Sequence, residues 1–491
     1  MNEFLRQRVG IAGINAVFSD RVPAALWRVR YFRDSQPEEF AVILKPDGSL
    51  HSVRHTLAEE AAGASLAKEE AVARAEKFLR EEKNLNLKNW TLVESNSEKQ
   101  PHRIDHSLTW QQNEPLDTSQ SSSTNTEDHA HARIDVQVLG DEVTNYRTYI
   151  KIPDDWRRKQ EEGSLIRTIF NYGARVLFFG GLGLTALILF LRNLRSEAAL
   201  SIPWRRLSRW CLLGLLAYAL EIAFGNAYPN ILSGYKTAIS LKIWLGTSAI
   251  VELLFAPFTV GGIALLFGVA WYYARRAFSD GRLPDWVGMP GTYYRDALCI
   301  GLGGAMGLVG LQRALAAASA HWPTVHRAVA ASFGQDYDAI LPAASILGWS
   351  LLHSLLMTGL VVVATSFVAA QVHQPGLRIL LLLAGSLSLV GGGWGSPTDL
   401  AQRFVTQFIL LGVLALGVRY IVRFNILGCF LIVAGTSLFG GAAELLSQPD
   451  SFYRTNGYAV LSALALLFTW PLIAWRTGDS AKTVGATDPV H

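Results

Sequence analysis

Residues 154–192 read DDWRRKQEEGSLIRTIFNYGARVLFFGGLGLTALILFLR, and the chain changes character inside this stretch. Seven of its first nine residues are charged, whereas residues 168–192 hold only Arg175 and Arg192. A bilayer core about 30 Å thick asks for roughly 20 mainly apolar residues in a helix rising ~1.5 Å each. The second part of the stretch meets that demand. Working outward, residues 1–163 contain 22 Lys+Arg and 27 Asp+Glu, while residues 164–491 contain 22 and 13. The 491-residue chain is 50% hydrophobic and 17% charged, against about 25% charged in soluble domains. A slightly acidic soluble domain (1–163) therefore precedes a membrane domain (164–476) and a short tail (477–491). A single-domain soluble enzyme is excluded.

The fold class expected is an α+β soluble N-terminal domain followed by an all-α polytopic membrane domain of about nine transmembrane helices. The nine candidates are 168–192, 207–227, 243–274, 297–319, 339–369, 377–393, 404–420, 424–446 and 459–475. Pro257 and Pro342 are expected to break or tilt the third and fifth. Trp204, Trp210, Tyr272, Tyr273, Trp349 and Trp475 stand near segment ends, as interfacial anchors do. With the segment after the first helix placed in the cytoplasm, that side collects fourteen Lys/Arg and the opposite side five. The charge rule then sets the C-terminus inside and the soluble domain outside. The apolar run Val9–Phe18 is too short for a signal peptide. An upstream start with a further helix is the expectation, and a domain kept inside against the charge rule is the alternative.

In the soluble part Trp27–Arg33, Phe40–Lys45 and Ser49–Leu57 alternate, with Pro46-Asp47-Gly48 as a turn. Ser65 is the expected N-cap of a helix whose apolar face is Ala71, Val72, Ala75, Phe78 and Leu79. Trp90–Asn96, Ile104–Trp110, Ala132–Leu139 and Val143–Ile152 follow as strands, and residues 112–128, rich in Ser, Thr, Asn and Gln, as a mobile loop. Phe40–Val53 and Ile134–Tyr146 resemble each other loosely, suggesting two β-α-β-like units in a curled antiparallel sheet. Cys211, Cys299 and Cys429 lie in or beside apolar segments, so the soluble part has neither a disulfide framework nor a cysteine zinc site. His102, His106, His129 and His131 are candidate metal ligands, with polar-loop histidines the plainer reading.

Trp27-Arg-Val-Arg-Tyr-Phe-Arg, Asp47-Gly48, Ser65-Leu-Ala-Lys-Glu-Glu-Ala, Trp90, Val138-Leu-Gly-Asp-Glu-Val and Tyr149-Ile-Lys-Ile-Pro-Asp-Asp-Trp156 together resemble a PepSY-like extracytoplasmic domain. Such domains stand ahead of the membrane core in some bacterial relatives of the CAAX-protease and bacteriocin-processing (CPBP) family. The resemblance covers about residues 20–163, and the membrane half shares only the layout. It implies a multi-pass protein of the bacterial plasma (inner) membrane. That family uses Glu-Glu-x-x-x-Arg, an aromatic-x-x-x-His and His-x-x-x-Asn/Asp to activate a water on intramembrane helices. Here every adjacent Glu pair lies in the soluble half, and Trp349-Ser-Leu-Leu-His353 alone fits one spacing. The catalytic motifs are absent as a set, so Glu221, Glu252 and His353 are the weak catalytic candidates. Ser396 within Gly391-Gly-Gly-Trp-Gly-Ser396, paired with His353, reads as a tight turn.

Ionisable groups at membrane depth are costly and face the protein interior or a cavity. Counted at ~1.5 Å per residue, Arg175, Glu221, Glu252 and Arg313 lie roughly 9–12 Å from one membrane face. They form a candidate buried charge cluster, either ion pairs that set helix register or a site responsive to protons, ions or peptides. Gly301, Gly303, Gly304, Gly307 and Gly310 thicken one helix, and Gly303-x-x-x-Gly307 offers close helix approach, through packing or dimerisation. No phosphate-binding glycine loop occurs. No cofactor, metal or nucleic acid is expected; the partners are the lipid bilayer and a protein or peptide at the soluble domain. The leading expectation is a non-catalytic or degenerate intramembrane-protease-like scaffold, accessory or sensor. The rivals are a transporter or permease component using intramembrane Glu, Arg and His, and an active intramembrane peptidase.

Overall fold

The computed structural model describes residues 26–116, 129–277, 291–320, 335–391, 394, 397–422 and 425–484, together with 4, 5, 13, 16–18, 22 and 23. Two compact units result: Met1–Gly163 with Gly234–Thr247 and Arg327–Ser332, and Ser164–Ser233 with Ser248–His326 and Phe333–His491.

The first unit holds two antiparallel sheets. Strands β1 (Trp27–Phe32), β2 (Glu39–Leu44) and β3 (Leu50–Thr56) form a meander in the order β1-β2-β3. Helix α1 (Lys68–Glu81) follows. Strands β4 (Trp90–Lys99), β5 (Ile104–Gln112), β6 (His131–Leu139) and β7 (Glu142–Lys151) then form a second meander in sequence order. The two hairpins that resemble each other both turn on a left-handed glycine, Gly48 (φ +82°) and Gly140 (φ +63°). A Cβ at Gly140 would also stand 3.0 Å from the Ala64 nitrogen. The expected β-α-β units are not formed. Strands joined by two- to six-residue links pair antiparallel, and parallel pairing would need a longer crossover.

Helix α1 lays Ala71, Ala75 and Leu79, all fully buried, toward the second sheet. Ala75 and Leu79 close a core with Leu108, Trp110, Ile134, Val136 and Val138. The N-cap is Ala67 rather than Ser65: the Glu70 carboxylate reaches back and accepts the Ala67 N–H at 3.0 Å, satisfying the start of the helix without a capping hydroxyl. Arg103, 3% exposed, pins the segment before α1. It donates to the Ala58 and Ala61 carbonyls (2.7 Å each) and pairs with Asp105 at 2.7 Å. Strand β5 runs through Gln112, so the loop begins later than expected, and residues 117–128 of that loop lie outside the described residues.

The second unit is all helical. Its long helices are α2 (Asp154–Arg192, with one π-turn at Val176–Gly180), α3 (Trp204–Phe224), α4 (Leu241–Ala277) and α5 (Gly291–Ala320). After them come α6 (Pro342–Gln371), α7 (Pro375–Ser388), α8 (Pro397–Val422), α9 (Ile426–Leu446) and α10 (Ser451–Val484). The first residues of α2 and of α4 belong to the first unit. Among the described residues eight of these are long and apolar enough to cross a membrane; α7, with 14 residues, is not one of them. It spans only ~21 Å at 1.5 Å per residue. Its end is set by Gly391 (φ +81°) and by Arg175, whose Nε–H takes the Ser388 carbonyl at 3.1 Å.

Helices α6 and α9 form the centre, with 44% and 56% of their most apolar windows buried against 11–28% elsewhere. Neither proline breaks its helix: α4 runs unbroken through Pro257, and Pro342 opens α6, where its missing N–H costs nothing. Phe190, Phe267, Tyr272, Tyr273, Phe367 and Phe430 belong to the main core. The close approach of α5 to α9 runs through Gly301 and Gly304, where a Cβ would meet Leu431 at 2.6 Å and Ile432 at 2.5 Å. At Gly303 and Gly307 nothing described lies within 4 Å. The expected small-residue motif thus faces away, and the packing pair is spaced by three residues.

Candidate functional site

Helix α6 carries five of the buried polar groups described in the helical unit, Ser345, Ser350, Ser354, Thr358 and Ser366. Ser345, Ser350, Ser354 and Thr358 are each at most 1% exposed. The last three recur every four residues and therefore stand in one row. The Ser350 hydroxyl shares a hydrogen bond of 2.8 Å with Ser437 on α9, and Ser354 donates to the Ser350 carbonyl at 2.5 Å. Ser345 donates to Glu221 Oε2 on α3 at 3.1 Å. Beside it Gly348 admits the α3 backbone, since a Cβ there would stand 2.8 Å from the Ala217 carbonyl oxygen. Asn456 of α10 completes this end by accepting the Ala343 N–H at 3.1 Å and donating to the Phe452 carbonyl at 2.9 Å. Of the four hydroxyls, Ser354 bonds a helix carbonyl, Ser350 another serine and Ser345 a carboxylate, while Thr358 Oγ1 has no hydrogen-bond partner among the described residues.

The residues singled out in the sequence lie on five different helices. Glu221 is the carboxylate bonded to Ser345. Glu252 lies on α4, where its carboxylate accepts the Tyr218 hydroxyl at 2.9 Å. Arg175 closes the end of α7, as described, and Arg313 is exposed on α5. Among the described residues no two of Arg175, Glu221, Glu252 and Arg313 form an ion pair within 4.0 Å. His353 belongs to the neighbouring face of α6, with its ring stacked on Trp349 (centroids 6.0 Å apart, planes at 24°). Trp349 itself is 57% exposed. The motif-spaced imidazole thus accompanies an outward-facing indole, while the serines of α6 turn inward. Ser396 lies outside the described residues.

In the first unit His106 is fully engaged. Its Nε2 meets the Leu66 carbonyl at 3.1 Å and its Nδ1 meets Ser97 Oγ at 2.9 Å. Because a carbonyl only accepts, Nε2 carries the proton and Nδ1 accepts from Ser97. His131 Nδ1 meets the Gln112 carbonyl at 3.0 Å. Among the described residues no three His, Cys, Asp or Glu side chains stand together as a metal site. His102 is exposed, and His129 has an interaction of its own.

A different histidine joins the two sheets. His55 on β3 meets Glu38 at 2.9 Å through Nε2 and Glu142 on β7 at 3.0 Å through Nδ1, and it stacks on Phe40 at 4.0 Å. Burial of the ring opposes its charge, but the hydrogen bonds and charges of Glu142 and Glu38 outweigh that effect, and the net shift of its pKa is upward from 6.5. Next to it the Lys83 ammonium donates to the His51 carbonyl at 2.7 Å and sits 5.0 Å from the Tyr146 ring centroid. Burial pushes the Tyr146 phenol up to about 12.

The register of the first sheet sorts its side chains into two unlike faces. Arg28, Arg30 and Phe32 share one face with Glu39, which both arginines approach. Phe32 lies against Tyr235 (5.1 Å between centroids), and Tyr235 donates to Asp34 at 3.1 Å. The Leu241 N–H, bonded to Asp34 at 2.5 Å, holds that carboxyl below its usual range, with help from Tyr235. The opposite face brings together Trp27, Val29 and Tyr31 with Leu44, Val42 and Phe40, and these with Leu50 and Val53. Six of the eight (Trp27, Val29, Tyr31, Phe40, Leu50 and Val53) remain 40–58% exposed. A contiguous apolar face of that kind marks an interaction surface. Sequence reading found the strands but not this face, although the alternation from Trp27 to Tyr31 carried it.

No family model matches the chain, and no curated protein or solved structure matches it.

Proposed function

We propose that the protein is a membrane-embedded binding protein: a non-catalytic relative of the intramembrane-protease family whose PepSY-like soluble domain holds a protein or peptide partner. The observation that carries this reading is the exposed apolar face of β1–β3, with β1 as a free sheet edge among the described strands. An extended segment pairs its backbone with such an edge and lays alternate side chains along the face. The helical unit supports the same reading. No described Glu is hydrogen-bonded to His353, the imidazole whose spacing fits the protease pattern. In this proposal the soluble domain lies outside the plasma membrane and the C-terminus inside.

The test is native mass spectrometry of the intact protein purified from its own membrane. A stoichiometric polypeptide partner is expected, and it should be lost when Val29 and Tyr31 are both replaced by Asp. A protein that runs alone, or a partner kept by the double variant, sinks the reading. The transporter alternative rests on Glu252, a carboxylate within the candidate span α4 that accepts from Tyr218. It requires Glu252→Gln to abolish a proton-coupled flux in vesicles.

A further inference from the structure

A half-open cleft of about 360 Å³ lies within the helical unit, in the size range of small-molecule sites (about 300–1,000 Å³). Arg209 and Trp210 near the start of α3, Tyr294 near the start of α5, Phe430 of α9, and Leu467 and Trp470 of α10 line it. Aromatic pairs build its walls: Trp210 meets Phe430 edge-on at 5.3 Å, and Tyr294 meets Trp470 at 6.1 Å. Among the described residues Arg209 is the single charged one of the lining. Its side chain is exposed and has no hydrogen bond or ion pair among the described residues. Asp296, two residues beyond Tyr294 on α5, pairs with Arg295 at 3.0 Å.

More positive charge collects at the same end. Helix α4 finishes with Arg275 and Arg276, and its Tyr272 and Tyr273 share a core with Tyr293 and Leu427 at the starts of α5 and α9. Aromatic rings with an amphipathic edge settle at headgroup level, and basic pockets between membrane helices attract anionic headgroups. An apolar, aromatic slot with one unpaired guanidinium matches a molecule with one negative group on a hydrocarbon tail. We propose that this cleft is a binding site for an acidic phospholipid, its phosphate at Arg209 and an acyl chain between Trp210, Phe430 and Trp470. The site is independent of the partner-binding face of β1–β3.

The experiment titrates the intact detergent-purified protein with phosphatidylglycerol or with phosphatidylcholine and counts bound lipid by native mass spectrometry. Phosphatidylglycerol should be retained at the lower concentration. Arg209→Gln should weaken it about fivefold, the value of one arginine against an anionic lipid surface, and erase the preference. Arg275→Gln, at the same end but outside the cleft, should change neither lipid, and Leu467→Trp, which fills the slot, should weaken both. Equal retention of the two lipids by the wild type overturns the proposal. So does an Arg275→Gln loss equal to that of Arg209→Gln, which would mean a diffuse surface field. Displacement of phosphatidylglycerol by millimolar inorganic phosphate would also overturn it, because the anion alone would then be the ligand.

Discussion

In β4–β7, Leu108, Trp110, Ile134, Val136 and Val138 share one face and are closed over by Ala75 and Leu79 of α1. In β1–β3, Trp27, Val29, Tyr31, Phe40 and Val53 share a face just as apolar and stay 40–58% exposed. Both sheets follow the same two-residue alternation, and both are antiparallel meanders. The difference is one helix. A sheet face gains stability at roughly 25 cal/mol per Å² of apolar surface removed from water, and the second sheet collects that gain within the chain. The first sheet does not, which is why the proposed binding reading rests there.

The comparison can be broken at its covered side first. Trp110→Ala should destabilise the four-stranded sheet by about 3–5 kcal/mol, the cost of emptying a closed core position. Hydrogen exchange of β5 and β6 in the intact protein would report it; protection unchanged there would mean that α1 does not close that face. Arg103→Met comes next. It leaves Asp105 and two loop carbonyls without their donor, with an expected loss of about 3 kcal/mol and faster exchange at residues 58–64. A loss below 1 kcal/mol would show that the loop is held by other means.

The joint between the sheets gives a smaller, pH-dependent effect. The folded-state pKa of His55 lies above its unfolded value of 6.5. Its contribution is therefore complete below pH 6.5 and disappears as pH rises through the folded pKa. A pair of half-exposed glutamates limits it to about 1 kcal/mol. Thermal unfolding of the wild type should fall across that window, and His55→Gln should remove the step; a step that survives in the variant belongs to another group. The smallest effect is expected on the open face. Val29→Asp should change stability by no more than about 0.5 kcal/mol, as measured by the same unfolding curves, while disrupting partner retention. A cost of several kcal/mol would show that the face is covered after all.

The helical unit shows the same limit in another form. Periodicity in the sequence exposes the hydroxyls at 350, 354 and 358, yet attention falls on His353, whose spacing from Trp349 matches a known pattern. One helix face holds the histidine and the other the serines, and only the packing of α9 against α6 tells which is inside. Gly303-x-x-x-Gly307 is the better written motif, but Gly301 and Gly304 are the pair that meets α9. Arg175 reads as a member of a charge cluster, and the structure puts its guanidinium on a helix-end carbonyl. The first two are choices between neighbours on one helix, separated by a rotation that residue spacing alone leaves open.

What the sequence determined by itself is the division into a sheet-rich N-terminal part and a helical part with membrane-like segments. It also determined the strands, the turns at Gly48 and Gly140, and the inward face of α1. These follow from local rules: bilayer thickness, the two-residue and 3.6-residue periods, and the conformational freedom of glycine. Only the tertiary structure decided that seven strands part into two sheets and that α1 covers the second and not the first. It alone decided that α7 stops short of a membrane's width and that α6 and α9 are the centre. Those outcomes depend on which distant residues meet, such as Arg175 with Ser388, Glu221 with Ser345 and His55 with Glu142. A contact of that kind joins positions 87 to 213 residues apart, and no local pattern records it.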